Sequence, residues 1–301
     1  MRLLLLGGSG FFSGTIARMA LEQGWEVDGL TRGRRPMPDG VRPIPADRHD
    51  IPAATAALNA AADSWDVVVD CIAFTAAEME QDLRWFTGRA GRFIFISTDF
   101  VYDPAQRRFP QPVDSPLMND DSYGGNKARC EKLLRQSTGL PWTIFRPCHI
   151  YGPGSQLGCL PRHARDDQLI ARLRRGEPLT LVGGGHFLQQ PIFAADLARL
   201  VLAAALNVRS IRQTYPAAGA EMAESRHYYQ LLADELNVPL HIQEIPVVEH
   251  LRLNPADRPF LCHRIYDLST LADHHLPLPA TPLSRGLNLH LGWLLNHPIP
   301  A

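Results

Sequence analysis

Residues 3–14 read LLLLGGSGFFSG, four leucines followed by a turn rich in glycine. A continuous apolar run is typical of a strand that is buried on both faces of a parallel sheet. Gly7 allows a tight turn, Gly10 allows the backbone to approach a ligand, and a helical pattern follows at Thr15–Gln23. A helix N-terminus placed after such a turn offers free backbone N–H groups to phosphates. We therefore predict a dinucleotide-binding turn, formed by Gly7, Ser9, Gly10, Phe11 and Phe12.

Apolar runs alternate with helical patterns through the first half of the chain. Strands are predicted at Leu3–Leu6, Trp25–Leu30, Asp66–Ile72, Phe93–Ser97 and Trp142–Arg146, and helices at Thr15–Gln23 and Tyr123–Gln136. Strands that alternate with helices form a parallel sheet. The predicted fold class is therefore α/β, with a Rossmann-type doubly wound parallel sheet.

Prolines interrupt this alternation after residue 150. Helices are still predicted there, at Asp166–Arg175, Ala194–Leu206 and Arg226–Glu235. We place an NAD(P)-binding Rossmann domain at residues 1–150 and a smaller mixed α/β substrate lobe at residues 151–301. Some segments of the lobe are expected to return to the main domain.

The end of the second strand bears on the choice between NAD and NADP. Residues 31–35 read TRGRR and include no acidic residue to bind a ribose 2′-hydroxyl, since Asp28 falls inside the strand. Arg32 and Arg34 can bind a 2′-phosphate instead, which favours NADP; the alternative is that they are solvated loop arginines. Asp47 either accepts a hydrogen bond from the adenine amino group or serves only in a turn.

Tyr123 and Lys127 are four residues apart and share one face of a predicted helix. A free tyrosine has a pKa near ~10, so a base at neutral pH needs a pKa roughly three units lower. A lysine ammonium and a positive nicotinamide ring both act in that direction. Ser97 and Thr98 follow a predicted strand, at the sheet edge where parallel α/β proteins bind ligands. Thr98, Tyr123 and Lys127 together predict proton and hydride transfer at a carbinol or carbonyl carbon.

These motifs closely resemble the extended short-chain dehydrogenase/reductase family, also called the NAD-dependent epimerase/dehydratase family. The matching segments are Gly7–Gly14, Asp70–Ala73, Ile96–Asp103, Tyr123–Lys127, Arg146–Pro147, Tyr151–Gly154 and Pro191–Leu197. The resemblance implies an NAD(P)-dependent epimerase or reductase for a nucleotide-sugar or similar polyol, with Tyr123 as acid/base and Lys127 binding the ribose. It also implies two groups of site residues: Thr98 and Asp99 as further catalytic residues, and Cys71, Ile72, Ala73, Ser97, Pro147 and His149 beside the cofactor.

Residues 98–103, TDFVYD, bear on the reaction type. Sugar-nucleotide 4,6-dehydratases of this family carry T-D-E-V-Y-G, so Asp99 matches their acid but Phe100 replaces their glutamate. Without that carboxylate, elimination of water is less expected. The segment is equally similar to the S-T-D-x-V-x-D run of deoxysugar-nucleotide reductases.

Composition limits the other classes of function. The formal net charge is -1, which does not resemble the basic footprint of a nucleic-acid binder. The five cysteines form no C-x-x-C pair and the histidines show no ligand spacing, so we expect a reduced, cytoplasmic setting and no metal. Leu3–Leu6 is too short to span a membrane, and we expect no targeting segment.

Two questions stay open at the level of sequence. The alternative to an enzyme is a cofactor-binding module without turnover, a sensor or an RNA- or protein-binding scaffold, because the N-terminal part also resembles chloroplast RNA-binding relatives. Arg162, Arg165 and Arg258 either bind a substrate diphosphate or lie on the surface. A homodimer through a helix pair is compatible with the family resemblance.

Overall fold

The computed structural model describes residues 1–297. Six strands lie in the first half of the chain: β1 (Arg2–Leu6), β2 (Glu26–Thr31), β3 (Arg42–Pro45), β4 (Val67–Asp70), β5 (Phe93–Ile96) and β6 (Trp142–Pro147). Seven more strands follow within residues 148–297: β7 (Ile150–Tyr151), β8 (Leu179–Val182), β9 (Leu188–Gln189), β10 (Ile192–Phe193), β11 (Gln213–Ala217), β12 (Ala223–Glu224) and β13 (Ile242–Ile245).

Residues 1–297 also contain ten α-helices. They are α1 (Phe11–Glu22), α2 (Ile51–Ala61), α3 (Ala76–Phe86), α4 (Tyr123–Gln136), α5 (Leu169–Arg174), α6 (Ala194–Leu206), α7 (Ser225–Glu235), α8 (Val247–Leu253), α9 (Ser269–Asp273) and α10 (Leu283–Asn296). Local sequence explains several of their starts. Asp50 caps α2, Thr75 and Glu78 form a capping box on α3, and the Ser122 side chain accepts the Gly125 N–H at the start of α4.

The main sheet has seven strands in the order β11-β6-β5-β4-β1-β2-β3, all parallel. The chain starts at the centre, proceeds outward through β2 and β3, and then returns to build the other side from β4. This doubly wound Rossmann-type α/β topology confirms the predicted fold class. It also places the carboxyl ends of β1, β4, β5 and β6 along one edge, where ligands bind in such sheets.

Both faces of the sheet are buried, as the continuous apolar run of β1 predicts. Leu3 and Leu5 pack on one side with α1 and α6, whereas Leu4 and Leu6 pack on the other side with α2, α3 and α4. A third apolar cluster lies in the C-terminal half, around Tyr228 and α10. The C-terminal half of the chain also supplies β11 to the main sheet and α6 to the apolar cluster on one of its faces.

Candidate functional site

The glycine turn after β1 adopts a conformation that requires glycine. Gly7 has a φ of +106°, and a Cβ added there would lie 2.7 Å from Ile72 Cγ2. The Gly7 N–H donates to the Leu30 carbonyl over 3.0 Å. Ser13 stands at the third position of the usual glycine spacing, and its hydroxyl donates to the Gly7 carbonyl over 3.0 Å. Ser13, which replaces a glycine of that spacing, therefore helps to hold the turn through this hydrogen bond.

An outer cleft of about 530 Å³ extends from this turn past the end of β2. Its lining includes Gly7, Ser9, Gly10, Arg32, Arg34, Arg35, Asp47, Arg48, His49 and Ile72. The structure thus brings the predicted Arg32, Arg34 and Asp47 to the same cleft as the glycine turn. Arg32, Arg34 and Arg35 are exposed and form no ion pair with any residue in 1–297.

Asp28 is held away from this cleft. Its carboxylate accepts hydrogen bonds from Arg2, Arg42 and the indole of Trp65, at 2.9, 2.9 and 2.7 Å. Asp28 is 2% exposed. Its place inside the strand therefore agrees with the expectation that it does not bind a ribose.

Arg48 is a functional candidate that the sequence did not indicate. Its buried guanidinium donates to Asp82 over 2.9 Å and to Asp70 over 3.4 Å. Burial disfavours the charge of Arg48, but the two carboxylates outweigh that effect and raise its pKa. Asp70 also accepts the N–H groups of Ile72 and Ala73, at 2.6 and 2.9 Å. This network holds the turn that follows β4. Ile72, which belongs to that turn, lines both clefts.

An inner cleft of about 440 Å³ adjoins the outer one, and both are lined by Gly7, Gly10, Ile72 and Phe74. Thr98, Tyr123 and Lys127 all line the inner cleft. Of the other predicted residues, it is also lined by Phe12, Cys71, Ser97, Asp99, Pro147 and His149. Ala73 contributes a backbone carbonyl beneath it, and Phe11 lies beside it near Arg165.

Lys127 is 1% exposed and lines the inner cleft together with Tyr123. Its ammonium donates to the carbonyls of Ala73 and Ile96, at 2.8 and 2.7 Å, and lies 4.3 Å from the centre of the Phe95 ring. Burial lowers the pKa of Lys127. Two of its three N–H groups are therefore committed to the protein, and one remains for a ligand hydroxyl.

Tyr123 begins α4 and is 49% exposed at the cleft. Its ring lies 6.1 Å from that of Phe74 and 6.2 Å from that of Phe100. Partial burial raises the pKa of Tyr123, and the Thr98 hydroxyl acts in the opposite direction. In the protein without cofactor, Tyr123 is therefore protonated at neutral pH.

The side chains of Ser97 and Asp99 are hydrogen-bonded to other side chains of the protein. Ser97 Oγ donates to Glu131 over 2.7 Å, and Glu131 also binds Arg146 over 2.7 Å. Asp99 is 2% exposed, and its Oδ2 accepts hydrogen bonds from Arg264 and from the Tyr266 hydroxyl. A carboxylate in a buried ion pair is an acceptor, which differs from the general-acid environment expected for Asp99.

Two further side chains, His149 and Arg165, line the inner cleft. Burial lowers the pKa of His149 to about 3, so this imidazole is neutral. Arg165 lines the cleft, whereas Arg162 and Arg258 are not among its lining residues. Within residues 1–297, no cluster of His, Cys, Asp and Glu side chains has the arrangement of a metal site.

The two clefts fit an extended dinucleotide. The turn at Gly7 packs closely against Ile72, where a Cβ would collide, and α1 begins directly after the turn, with Gly10 and Phe12 lining the cleft. Hydroxyl and amine donors of Thr98, Tyr123 and Lys127 lie at one end, and arginines lie at the other. This distribution matches a molecule with a reactive ring at one end and phosphate or ribose groups at the other.

The NAD-dependent epimerase/dehydratase family model matches residues 3–217, so the chain belongs to this family of extended short-chain dehydrogenases/reductases. A Streptomyces dTDP-4-dehydro-6-deoxy-D-allose reductase is 24% identical over 98% of this chain and 96% of its own length. The chloroplast stem-loop binding protein of 41 kDa b from Arabidopsis thaliana is 25% identical over 72% of this chain; the match spans 58% of that relative.

Solved structures share the fold. UDP-glucose 4-epimerase from Thermotoga maritima superposes with a TM-score of 0.79 at 17% identity, covering 98% of this chain and 99% of that one. The family is therefore one of NAD-dependent enzymes with nucleotide-sugar epimerases among its structural neighbours. None of the helices within residues 1–297 is both long and apolar enough to cross a membrane.

Proposed function

We propose that this protein is an NAD(P)-dependent oxidoreductase or epimerase that acts on a nucleotide-sugar or similar polyol. One observation carries this proposal: Thr98, Tyr123 and Lys127 line a single cleft that is continuous with the glycine turn. The relatives that bind nucleotide-sugars support the substrate class, and the C-terminal half supplies the far side of the cleft at Arg165.

Tyr123 is the proposed acid/base. Its phenol gives a proton to a substrate carbonyl oxygen in reduction, or takes the proton of a substrate hydroxyl in oxidation. The raised pKa of Tyr123 in the free protein suits the first role. A bound nicotinamide supplies the hydride donor or acceptor and, when oxidised, a positive charge.

Thr98 and Lys127 support this proton transfer in different ways. Thr98 orients the same substrate oxygen through its hydroxyl. Lys127 contributes a fixed positive charge, and its remaining N–H binds a ribose hydroxyl. Asp99 is assigned a positioning role, because Arg264 and Tyr266 already occupy its carboxylate.

The reaction type follows from what stands beside Thr98. Phe100 packs edge-on against Phe260, with the two ring centres 5.4 Å apart, and presents no carboxylate. A carboxylate base would be needed to remove a carbon-bound proton for dehydration. We therefore favour reduction or epimerisation over 4,6-dehydration.

The variant that tests the proposal is Tyr123→Phe. It keeps the aromatic contacts with Phe74 and Phe100 but removes the proton, so turnover on a panel of nucleotide-sugars should fall by about 10²- to 10⁴-fold. Cofactor binding should be unchanged, which controls for folding. Unchanged turnover in the variant would contradict the proposal. Salt-sensitive RNA binding with no turnover on the panel would favour a scaffold role instead.

The preferred cofactor is proposed to be NADP. Arg32 and Arg34 are exposed cations at the outer cleft with no ion-pair partner among residues 1–297, which suits a 2′-phosphate. In fluorescence titrations, Arg32→Ala should weaken NADPH binding by about 10-fold or more and leave NADH binding nearly unchanged. Arg84→Ala, on the surface of α3, is the matched control. Equal effects on both cofactors would refute the NADP assignment.

A further inference from the structure

The loop that carries Arg165 has an unusual backbone. His163 and Arg165 have φ values of 61° and 56°, a region that residues with a Cβ seldom adopt. Gly158 has a φ of 116°, and a Cβ there would lie 1.7 Å from the His163 carbonyl oxygen. The loop therefore folds tightly back on itself, and strained segments of this kind cluster at functional sites.

The surrounding structure holds this loop in place. The Gly158 and Cys159 N–H groups donate to the buried hydroxyls of Tyr228 and Tyr229, each over 3.1 Å. His163 bridges the Asp166 carboxylate at 3.0 Å and the Thr180 carbonyl at 3.2 Å. The strained conformation is thus fixed by several contacts from the C-terminal half rather than by a single one.

The conformation of this loop places the Arg165 guanidinium at the inner cleft. Arg165 lines the inner cleft together with Thr98 and Tyr123, and its guanidinium lies 6.0 Å from the centre of the Phe11 ring. Within residues 1–297 it forms no salt bridge and no hydrogen bond through its side chain. A cation without a partner at an aromatic wall is suited to an anion that forms during the reaction.

Lys127 is a buried cation near Tyr123, and Arg165 is a second one that lines the cleft. The Lys127 ammonium is bound to the carbonyls of Ala73 and Ile96 beneath the cleft. The charge of Asp99 raises the pKa of Tyr123 and that of Arg165 lowers it. Other titratable groups around the tyrosine are Cys71, Cys130, Cys148 and the neutral His149, with Arg107 and Asp120 on its other side.

We propose that Arg165 is a second cation of the site, which acts on the Tyr123 phenolate and so assists proton transfer. It acts through Tyr123 and does not itself gain or lose a proton: the O–H bond that forms or breaks is that of Tyr123 and the substrate oxygen. This inference rests on the proposed acid/base role of Tyr123. The charge coupling between Arg165 and Tyr123 can nevertheless be measured without any substrate.

The tyrosines of the chain make this measurement possible. There are seven, and the six besides Tyr123 are each 4% exposed or less, with pKa values raised by burial. The pKa of Tyr123 is also raised, but at 49% exposure this side chain is far more open to water than the other six, so it should ionise before them as the pH rises. Near-ultraviolet absorbance of tyrosinate follows this ionisation, and subtracting the same titration of Tyr123→Phe isolates the signal of Tyr123.

The experiment compares Arg165→Ala, Arg165→Lys and Arg162→Ala, each with and without Tyr123→Phe. Arg165→Ala should raise the Tyr123 midpoint by about 0.5–1 pH unit at low salt, and less at high salt. Arg165→Lys, which keeps the charge, should recover most of the wild-type value. Arg162→Ala, which removes a charge from the same loop outside the cleft lining, should leave it unchanged.

Each outcome decides the proposal. A Tyr123 midpoint that does not differ between wild type and Arg165→Ala would overturn it, as would an equal shift in Arg162→Ala. A shift specific to Arg165 supports it, and that result stands apart from turnover. If Tyr123→Phe were fully active on a true substrate, the proposed function would fail while the measured coupling remained.

Discussion

The buried pair of Asp99 and Arg264 allows the most quantitative test of how this site is built. The two residues are 165 positions apart in the chain and are 2% and 1% exposed. Arg264→Met keeps an apolar stem and removes the guanidinium, leaving the Asp99 carboxylate buried without its cation. Breaking a buried pair from one side costs about 3–5 kcal/mol.

The local contacts place the expected value within that range. The guanidinium also donates to the Pro259 carbonyl over 3.3 Å and lies 4.4 Å from the centre of the Phe100 ring, and both contacts are lost. The Tyr266 hydroxyl still donates to Asp99, which offsets part of the loss. We expect a destabilisation of about 3 kcal/mol, which corresponds to a urea midpoint lower by about 1 M for a slope near 3 kcal/mol per M.

Urea unfolding followed by circular dichroism measures this effect, with Arg84→Met as the control. Arg84 forms an exposed pair with Glu80 at 3.9 Å, and its loss should cost less than about 0.5 kcal/mol. Combining Asp99→Asn with Arg264→Met should destabilise less than the sum of the two single variants, because no charge is then left unpaired. The reasoning is refuted if Arg264→Met resembles the control or if the two losses are additive.

Two further predictions concern packing and pH. Gly124→Ala should lower the free energy of unfolding by about 1–3 kcal/mol, measured with urea, because the added Cβ would lie 2.0 Å from the Phe100 carbonyl oxygen. Gly292→Ala is the control and should not destabilise the protein, because nothing lies within 4 Å of the added Cβ. Burial lowers the pKa of His290 from 6.5 to about 4, so its neutral form stabilises the fold fully above pH 6.5. That contribution, up to about 3 kcal/mol, should be lost as the pH falls towards 4. In His290→Gln, the free energy of unfolding should therefore fall less between pH 6.5 and pH 4 than in the wild type. An unchanged dependence on pH would contradict this prediction.

Local sequence signals account for the elements that were predicted well. The helix α4 begins at Tyr123 and ends at Gln136 as predicted, because Ser122 caps a periodic apolar pattern. The helix after the glycine turn begins at Phe11 rather than Thr15, since the turn itself enters the helix. The helix predicted at Asp166–Arg175 is shorter, Leu169–Arg174, because its start is taken up by the strained loop.

Other features depend on contacts that no local pattern reveals. Glu131 and Arg146 form a buried ion pair between α4 and β6, and Arg48 reaches carboxylates 22 and 34 positions away. As isolated residues, such charges resemble solvated surface groups. The capping box of Thr75 and Glu78, by contrast, is a signal from which the start of α3 could have been predicted.

The C-terminal half of the chain contacts the neighbours of the proposed catalytic residues Thr98 and Tyr123 and does not only line the cleft. Arg264 and Tyr266 fix the residue that follows Thr98, and the Tyr228 and Tyr229 hydroxyls hold the loop that presents Arg165. Residues 1–150 taken alone would keep the glycine turn and lose the partners of Asp99. The charge of Asp99 raises the pKa of Tyr123 and that of Arg165 lowers it. Because the C-terminal half holds both residues, changes in that half are expected to alter the acidity of Tyr123 as well as substrate choice.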